Sequence, residues 1–296
     1  MSIPNKNKRT GLSNLPKKNS PVILLYSGGL DSTALWYLLL KKYQYQVYPI
    51  FFYVSNRHKR KIKKTINFFY DLFFKKFGAL SQPPYFHKID FIFGFHQNLN
   101  LVKKDIDLII PNIKNLNKCY QSFPNVNPFK HKKTIVLNDI PARMLIFSSL
   151  AFQYSLKLRY TTGLNIKNIF IGLTPEDRFS NEATASFINS LNITLCKEIN
   201  NFSWQIWAPI FKKNFYYEKL SLVKSSLKDS IPLDKTISCT KSPFYSHCGQ
   251  CFNCLTRKYV FTKLKYKDKT FYYSDFRDKV RNFLRSFKLV SLRKRS

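Results

Sequence analysis

The chain has 296 residues, 44% of them hydrophobic and 17% aromatic, which supports a sizeable core in one large domain or two small ones. Lys plus Arg number 50 against 16 Asp plus Glu, a formal charge of +34 that favours polyanions; A/T-rich codons, which also enrich Asn, Ile, Phe and Tyr, compete as the origin of that lysine. Only 8 glycines exclude collagen-like and Gly-rich linker classes, no apolar run is long enough for a membrane span, and the basic N-terminus lacks the apolar centre of a secretory signal, so a cytoplasmic protein with no membrane partner is expected.

Residues 1–20 read as a flexible basic leader. Residues 22–26 (VILLY) form a short apolar run suited to a buried parallel strand, and the chain passes directly into Ser-Gly-Gly-Leu-Asp-Ser at 27–32. Ala34, Leu35, Leu38 and Leu39 recur at helical spacing, predicting a helix to about Lys42. A second strand is expected over 47–54. The basic run at 57–64 reads as a solvated helix face, and Ile62, Ile66, Phe69, Phe73 and Phe77 form an apolar stripe ending at Gly78, a C-cap residue. A third strand is expected over 86–93, then a partly helical insertion near 95–135 rich in Pro and Asn. A helix opening at Pro141 should turn Leu145, Phe147, Leu150 and Ala151 inward. A fourth strand over 168–172, a helix over 183–191 and a fifth strand over 205–208 complete an alternation that means βαβ units and a parallel sheet covered on both faces. From Phe276, a helical face carries Val280, Phe283, Leu284 and Phe287, suited to core or dimer packing, with a nucleic-acid or membrane surface as the rival reading.

A strand entering S-G-G-L-D-S and leaving into a helix is a phosphate-binding device. Glycines let backbone N–H groups approach an anion, and the helix aims its first amides and dipole at the same point. Ser27 and Ser32 add hydroxyl donors. The absence of a Lys before the Ser excludes a Walker A loop, and an ordinary strand-to-helix turn is the competing reading. Of six cysteines, Cys239, Cys248, Cys251 and Cys254 fit C-x8-C-x2-C-x2-C, a set suited to a closed tetrahedral zinc site, with an iron–sulfur cluster as chemical rival. Gly249 should help amides turn toward sulfur, and Arg257 and Lys258 are expected to offset the thiolate charge. Cys119 and Cys196 stand alone and read as small buried hydrophobes.

The element VILLYSGGLDSTAL resembles the SGGxDS signature of PP-loop ATP pyrophosphatases, and with the C-terminal cysteine spacing it resembles the 7-cyano-7-deazaguanine synthase family of the queuosine pathway. Phe52-Tyr53 through Arg57-His58, Ile140-Pro141-Ala142-Arg143, Phe170-Ile171-Gly172 and Ala208-Pro209-Ile210 also resemble that family's segments, over about residues 22–262 apart from the insertion. The resemblance implies a Rossmann-like (adenine nucleotide alpha hydrolase-like) α/β fold with a parallel five-stranded sheet over 21–235, a C-terminal four-cysteine zinc knuckle and helix over 236–266, and a basic amphipathic tail over 267–296. It implies ATP-dependent conversion of 7-carboxy-7-deazaguanine and ammonia to 7-cyano-7-deazaguanine through adenylated intermediates, with ATP, Mg2+ and Zn2+ as cofactors and a homodimer as assembly.

By that resemblance Ser27, Gly28, Gly29, Leu30, Asp31, Ser32 and Thr33 hold ATP. Asp31 and Arg143 are the catalytic candidates, Arg57, His58, Arg143, Asp177 and Glu182 the substrate-binding candidates, and Cys239, Cys248, Cys251 and Cys254 the metal ligands. Asp31 would orient the loop or assist Mg2+, with N-capping as its rival role; Arg143 would grip a carboxylate or phosphate, or pair with Asp139 or another acid. Arg57 and His58 would line the nucleotide site or lie on an exposed basic face. The family's Asp-Cys-Arg triplet is absent from the loop at 172–184, and Ser55 and Asn56 replace its Gln and Gly. Two alternatives follow: a diverged paralogue adenylating another carboxylate in a defence or nucleic-acid-modification system, or a PP-loop tRNA-modifying enzyme, for which nucleic acid would be a partner. A third reading is a binding module that kept the fold and lost turnover.

Overall fold

The structure, a computed structural model, describes residues 14–53, 59–89, 142–177, 180–211, 214–239 and 247–275. Arg57, His58, Cys119, the insertion near 95–135 and the tail from Phe276 lie outside these residues. Strand β1 (Pro21–Leu25) is central in a five-stranded parallel sheet of order β3-β2-β1-β4-β5, with β2 (Gln46–Tyr53), β3 (Tyr85–Lys88), β4 (Asn168–Ile171) and β5 (Gln205–Trp207). Ile23 aligns with Tyr48 on one side and Ile169 on the other. Burial on both faces explains why these strands read as apolar runs and not as alternating patterns. The chain leaves β1 toward β2 and β3, then crosses to the other side for β4 and β5. The carboxyl ends of β1 and β4 therefore flank a topological switch point, where an open α/β sheet forms its crevice.

Helix α1 (Leu30–Lys41) is buried at Leu30 and from Ser32 through Leu40, so it is enclosed on nearly every side. Its Trp36 ring meets Tyr26 at 4.8 Å and Phe73 at 5.1 Å, both edge-on. Helix α2 (Lys59–Phe77) buries Ile66, Phe69 and Phe73 and exposes Lys63 and Lys64, as its stripe and basic run predict, and ends at Gly78 with φ +58°. Cys196 is buried, its thiol 3.4 Å from the Trp204 carbonyl. Of the leader, Leu15 packs on the core and the Pro16 carbonyl accepts from the Tyr45 hydroxyl at 2.9 Å. No helix among the described residues is long and apolar enough to cross a membrane.

Several expectations need correction. Strand β3 ends at Lys88, and residues 90–93 lie outside the described ones. Helix α3 (Arg143–Thr162) starts at Arg143, because Ala142 adopts a left-handed backbone with φ +54°. Its buried stripe is Met144, Ser148, Ala151, Phe152 and Ser155, while Leu145 is 42% exposed and Phe147 and Leu150 are half-buried. Apolar residues occupy two neighbouring faces of this helix, so periodicity alone does not select one. Docking does, with Phe152 edge-on against Trp204 at 4.4 Å. Helix α4 (Ala185–Glu198) runs well past Leu191, and the Thr184 hydroxyl caps it by accepting from the Phe187 amide. The hairpin β6 (Ile210–Phe211) and β7 (Phe215–Tyr216), and helix α5 (Lys219–Lys228) that packs on α1, carry no counterpart in the sequence reading. Helix α6 (Phe252–Lys263) follows the cysteines.

Gly172 lets β4 close against α1: a Cβ there would sit 3.0 Å from the Ser32 Cα and 3.1 Å from its amide nitrogen. These are backbone atoms at a helix start and cannot yield cheaply. Gly172→Ala is expected to destabilise the fold by about 1–3 kcal/mol, measured by denaturant or thermal unfolding; an unchanged midpoint would show that the two elements separate freely.

Candidate active site and metal centre

The turn Ser27-Gly28-Gly29 joins β1 to α1. Gly28 has φ +74°, and Gly29 is the N-cap of α1 without a side-chain cap. The Ser27 and Ser32 hydroxyls meet at 2.9 Å, and the Gly29 amide donates to Ser27 Oγ at 3.2 Å. The first amides of α1 thus have no side chain stopping them and converge with two hydroxyls, the donor set an anionic phosphate requires. Ser27, Gly29, Asp31 and Ser32 line a cleft of about 260 Å3, faced by Gly172 and Leu173 after β4 and by Arg143, Met144 and Phe147 of α3. Phe52, from β2, stacks on Phe147 at 5.1 Å and also lines the cleft. Leu30 and Thr33 are buried behind the loop, and the Thr33 hydroxyl donates to the Gly29 carbonyl at 2.7 Å.

Asp31 does not cap α1. Its Oδ2 lies 3.2 Å from Lys219 Nζ, and its Oδ1 is buried with no hydrogen-bond partner among the described residues. Lys219 is the first residue of α5 and is itself buried. Its Nζ also donates to Asp177 Oδ1 at 3.2 Å, and its backbone amide donates to Glu176. Asp177 in turn accepts from the Thr174 amide and hydroxyl through Oδ2. Burial pushes the Asp31 carboxyl up to about 6, against the opposing pull of Lys219, with Asp177 and Glu176 adding to the rise. Lys219 moves further above its ordinary range, its two carboxylates outweighing its own burial. Asp31 and Asp177 are legible as candidates in the sequence, whereas Lys219 and Glu176 are not. Nothing distinguishes this lysine among 50 basic residues, and the one available signal was an acidic residue followed by an apolar helical pattern at Leu220, Leu222, Val223 and Leu227.

Arg143 and Glu182 also meet: Arg143 Nη2 donates to Glu182 Oε1. Arg143 thus pairs with an acid of the loop after β4, and Asp139, the other candidate partner, lies outside the described residues. The pair is part-buried, with the Arg143 side chain 34% and the Glu182 side chain 19% exposed, and Arg143 also lines the cleft.

The four sulfurs of Cys239, Cys248, Cys251 and Cys254 lie within 4.8 Å of one another, a spacing able to hold a metal ion. Gly249, at φ +77°, turns the chain so that the Gln250 and Cys251 amides donate to Cys248 Sγ at 3.5 and 3.2 Å, and the Cys248 amide donates to Cys239 Sγ at 3.4 Å. Hydrogen bonds from the neighbouring thiols hold Cys239 well below the usual thiol range. The expectation for Arg257 and Lys258 fails. Arg257 turns into the core against Asp268, and Lys258 pairs with Asp275, so backbone amides and not these cations face the sulfurs.

Residues 21–265 match the family described as queuosine biosynthesis protein QueC. A curated relative from Campylobacter jejuni serotype O:2, named 7-cyano-7-deazaguanine synthase, is 30% identical over 256 residues, covering 85% of this chain and 98% of the relative. Relatives of related name from Desulfitobacterium hafniense and Nautilia profundicola are 23% and 24% identical, covering 80% and 83% of this chain and 89% and 96% of their own. With a family match that spans the sheet, the glycine loop and the cysteine cluster alike, this chain belongs to the queuosine biosynthesis protein QueC family.

Proposed function

We propose that the protein converts 7-carboxy-7-deazaguanine, ammonia and two ATP to 7-cyano-7-deazaguanine, two AMP and two pyrophosphates. The observation that carries this reading is the convergence of loop amides, the unpartnered Asp31 oxygen and Arg143 on one cleft in a chain of this family. A carboxylate oxygen leaves poorly, so it must first become a mixed anhydride with AMP. Ammonia then displaces AMP to give the amide. The amide oxygen, adenylated by the second ATP, leaves as AMP and the nitrile forms. The protein's share is positioning and charge stabilisation.

Amides of Gly29 and the first turn of α1, with Ser27 and Ser32, hold the β- and γ-phosphates. Arg143 exchanges Glu182 for the substrate carboxylate or the α-phosphate, and Lys219 keeps Asp31 ionised while tying it to Asp177 in the loop after β4. The unsatisfied Asp31 Oδ1 suits Mg2+, which would offset phosphate charge when bound. The four thiols with their amide donors suit Zn2+ in a closed structural site. The Phe52–Phe147 stack offers an apolar face to a planar ring. The same reading makes the protein a cytoplasmic homodimer built from a nucleotide-binding domain at 21–235 and a knuckle at 236–266.

Incubating the protein with 7-carboxy-7-deazaguanine, ammonia and Mg-ATP should yield nitrile and two AMP per turnover; ATP consumption without either would sink the reading. Arg143→Lys replaces a fork with a point charge and is expected to raise the KM for the carboxylate about tenfold, with folding unchanged.

The pH response separates binding from stability. Asp31 titrates near 6 when folded and near its ordinary 3.8 when unfolded, so the folded state takes up this proton first. As pH falls from about 6 toward 4 this group therefore favours folding, while loss of its charge weakens Mg-ATP binding. The KM for Mg-ATP should rise below pH 6 without a matching fall in Tm, and Asp31→Asn should remove that limb and lower kcat/KM about 100-fold. A KM flat from pH 5 to 8 would exclude a role for the Asp31 charge.

Metal analysis should find about one zinc per chain, lost in Cys254→Ser together with a lower Tm; visible absorbance with iron content would instead indicate an iron–sulfur cluster.

A further inference from the structure

The segment between α5 and the cysteine cluster runs directly behind the glycine loop. The Ile237 amide donates to the Gly28 carbonyl at 2.8 Å, and the Ile237 carbonyl lies 3.5 Å from where a Cβ on Gly29 would be. No peptide bond among the described residues is cis. In a trans peptide the carbonyl and the N–H point to opposite sides. Holding the Gly28 carbonyl on the Ile237 side therefore fixes the Gly29 N–H on the cleft side, where it donates to Ser27 Oγ. Were this peptide to flip, it would present an oxygen to an incoming phosphate in place of a donor.

What holds Ile237 is a buried cation. Arg257 of α6 is 1% exposed, and its Nη1 donates to Thr236 Oγ1 at 2.7 Å and to Ser238 Oγ at 3.2 Å, one residue to either side of Ile237. Its Nη2 donates to the Leu233 carbonyl at 2.9 Å, and its charge is met by Asp268, with Nε to Oδ2 at 2.9 Å. The Ser238 amide donates to His247 Nε2 at 2.9 Å, and Cys239 follows immediately. We infer that Arg257 is a positioning residue for the nucleotide loop: through Thr236 and Ser238 it fixes the Ile237 amide, and so the orientation of the peptide joining Gly28 to Gly29. The knuckle and its helix then set the geometry of the phosphate site as well as completing the fold. The role in ATP binding rests on the reading of this loop as the triphosphate site; the tether itself does not.

Three variants test it without truncating the buried arginine. Thr236→Val removes the hydroxyl that receives Arg257, Thr236→Ser restores one, and Ile237→Pro deletes the amide donor. Thr236 already has φ −71° and ψ 155°, the extended backbone that a following proline demands. Calorimetric Kd values for Mg-ATP, zinc content, Tm and amide hydrogen exchange over residues 26–33 are measured for each. Thr236→Val and Ile237→Pro should raise the Kd about tenfold and speed exchange in the loop, with zinc content retained, and Thr236→Ser should recover both. If Ile237→Pro fails to fold, the contrast between Val and Ser at 236 decides. Unchanged exchange and unchanged Kd in a folded Thr236→Val protein would overturn the tether while leaving the functional reading intact. Absence of Mg-ATP binding by the wild-type protein would overturn that reading, and faster loop exchange in Thr236→Val would still establish the tether.

Discussion

Everything in this structure depends on where β1 stops. A central strand covered on both faces can meet a ligand only at its end, and β1 ends by handing the chain to a glycine turn and a helix whose first amides lack intrahelical acceptors. Those amides hold their place because α1 is enclosed almost all round. Its apolar residues press on the sheet, α2 and α5, so the N-terminus has little room to drift. The missing Cβ of Gly172 lets β4 close on Ser32, and the Ile237 amide fixes the turn from behind. A phosphate site made of backbone needs such confinement, because it has no long side chain to correct a misplaced donor.

Charge is arranged with the same economy. The sequence has 16 acidic residues, and four of them, Asp31, Glu176, Asp177 and Glu182, contact Lys219 or Arg143, with Asp31 and Arg143 lining the cleft. In a chain of charge +34 such clustering is not what a diffuse scatter of acids would give. Among the described residues, Lys63 and Lys64 of α2 belong to this lysine excess and lie on a solvated face. The cleft therefore has its own balance of charge, set by paired groups, and the net charge of the chain says little about it. A cation-rich surface still draws nucleotides in from a distance.

Much of this was legible in the sequence. Apolar runs separated by helical stripes gave a parallel α/β sheet, because burial on both faces writes itself as unbroken hydrophobicity. The glycine loop was legible because glycine is scarce here, and the cysteine cluster because four thiols within sixteen positions have few structural uses. The phase of α3 was not, since apolar residues line two of its faces and only contact with Trp204 chooses between them. Lys219 was hidden for a different reason: its meaning comes from being buried between two carboxylates distant in the chain, and one lysine among so many carries no such mark. Arg257 was noticed and given the wrong partner, because proximity in sequence to the cysteines suggested thiolate charge, whereas the helix turns it toward Thr236 and Asp268.

The central claim is that the loop after β1 directs the α-phosphorus of ATP to a carboxylate oxygen. It is tested most directly by following that oxygen. With 7-carboxy-7-deazaguanine labelled with 18O at both carboxylate positions, the account predicts that both labels leave in AMP, one from acid activation and one from amide dehydration, and that pyrophosphate stays unlabelled. Label in inorganic phosphate, with ADP as the nucleotide product, would mean that the γ-phosphoryl group is transferred instead and would contradict it.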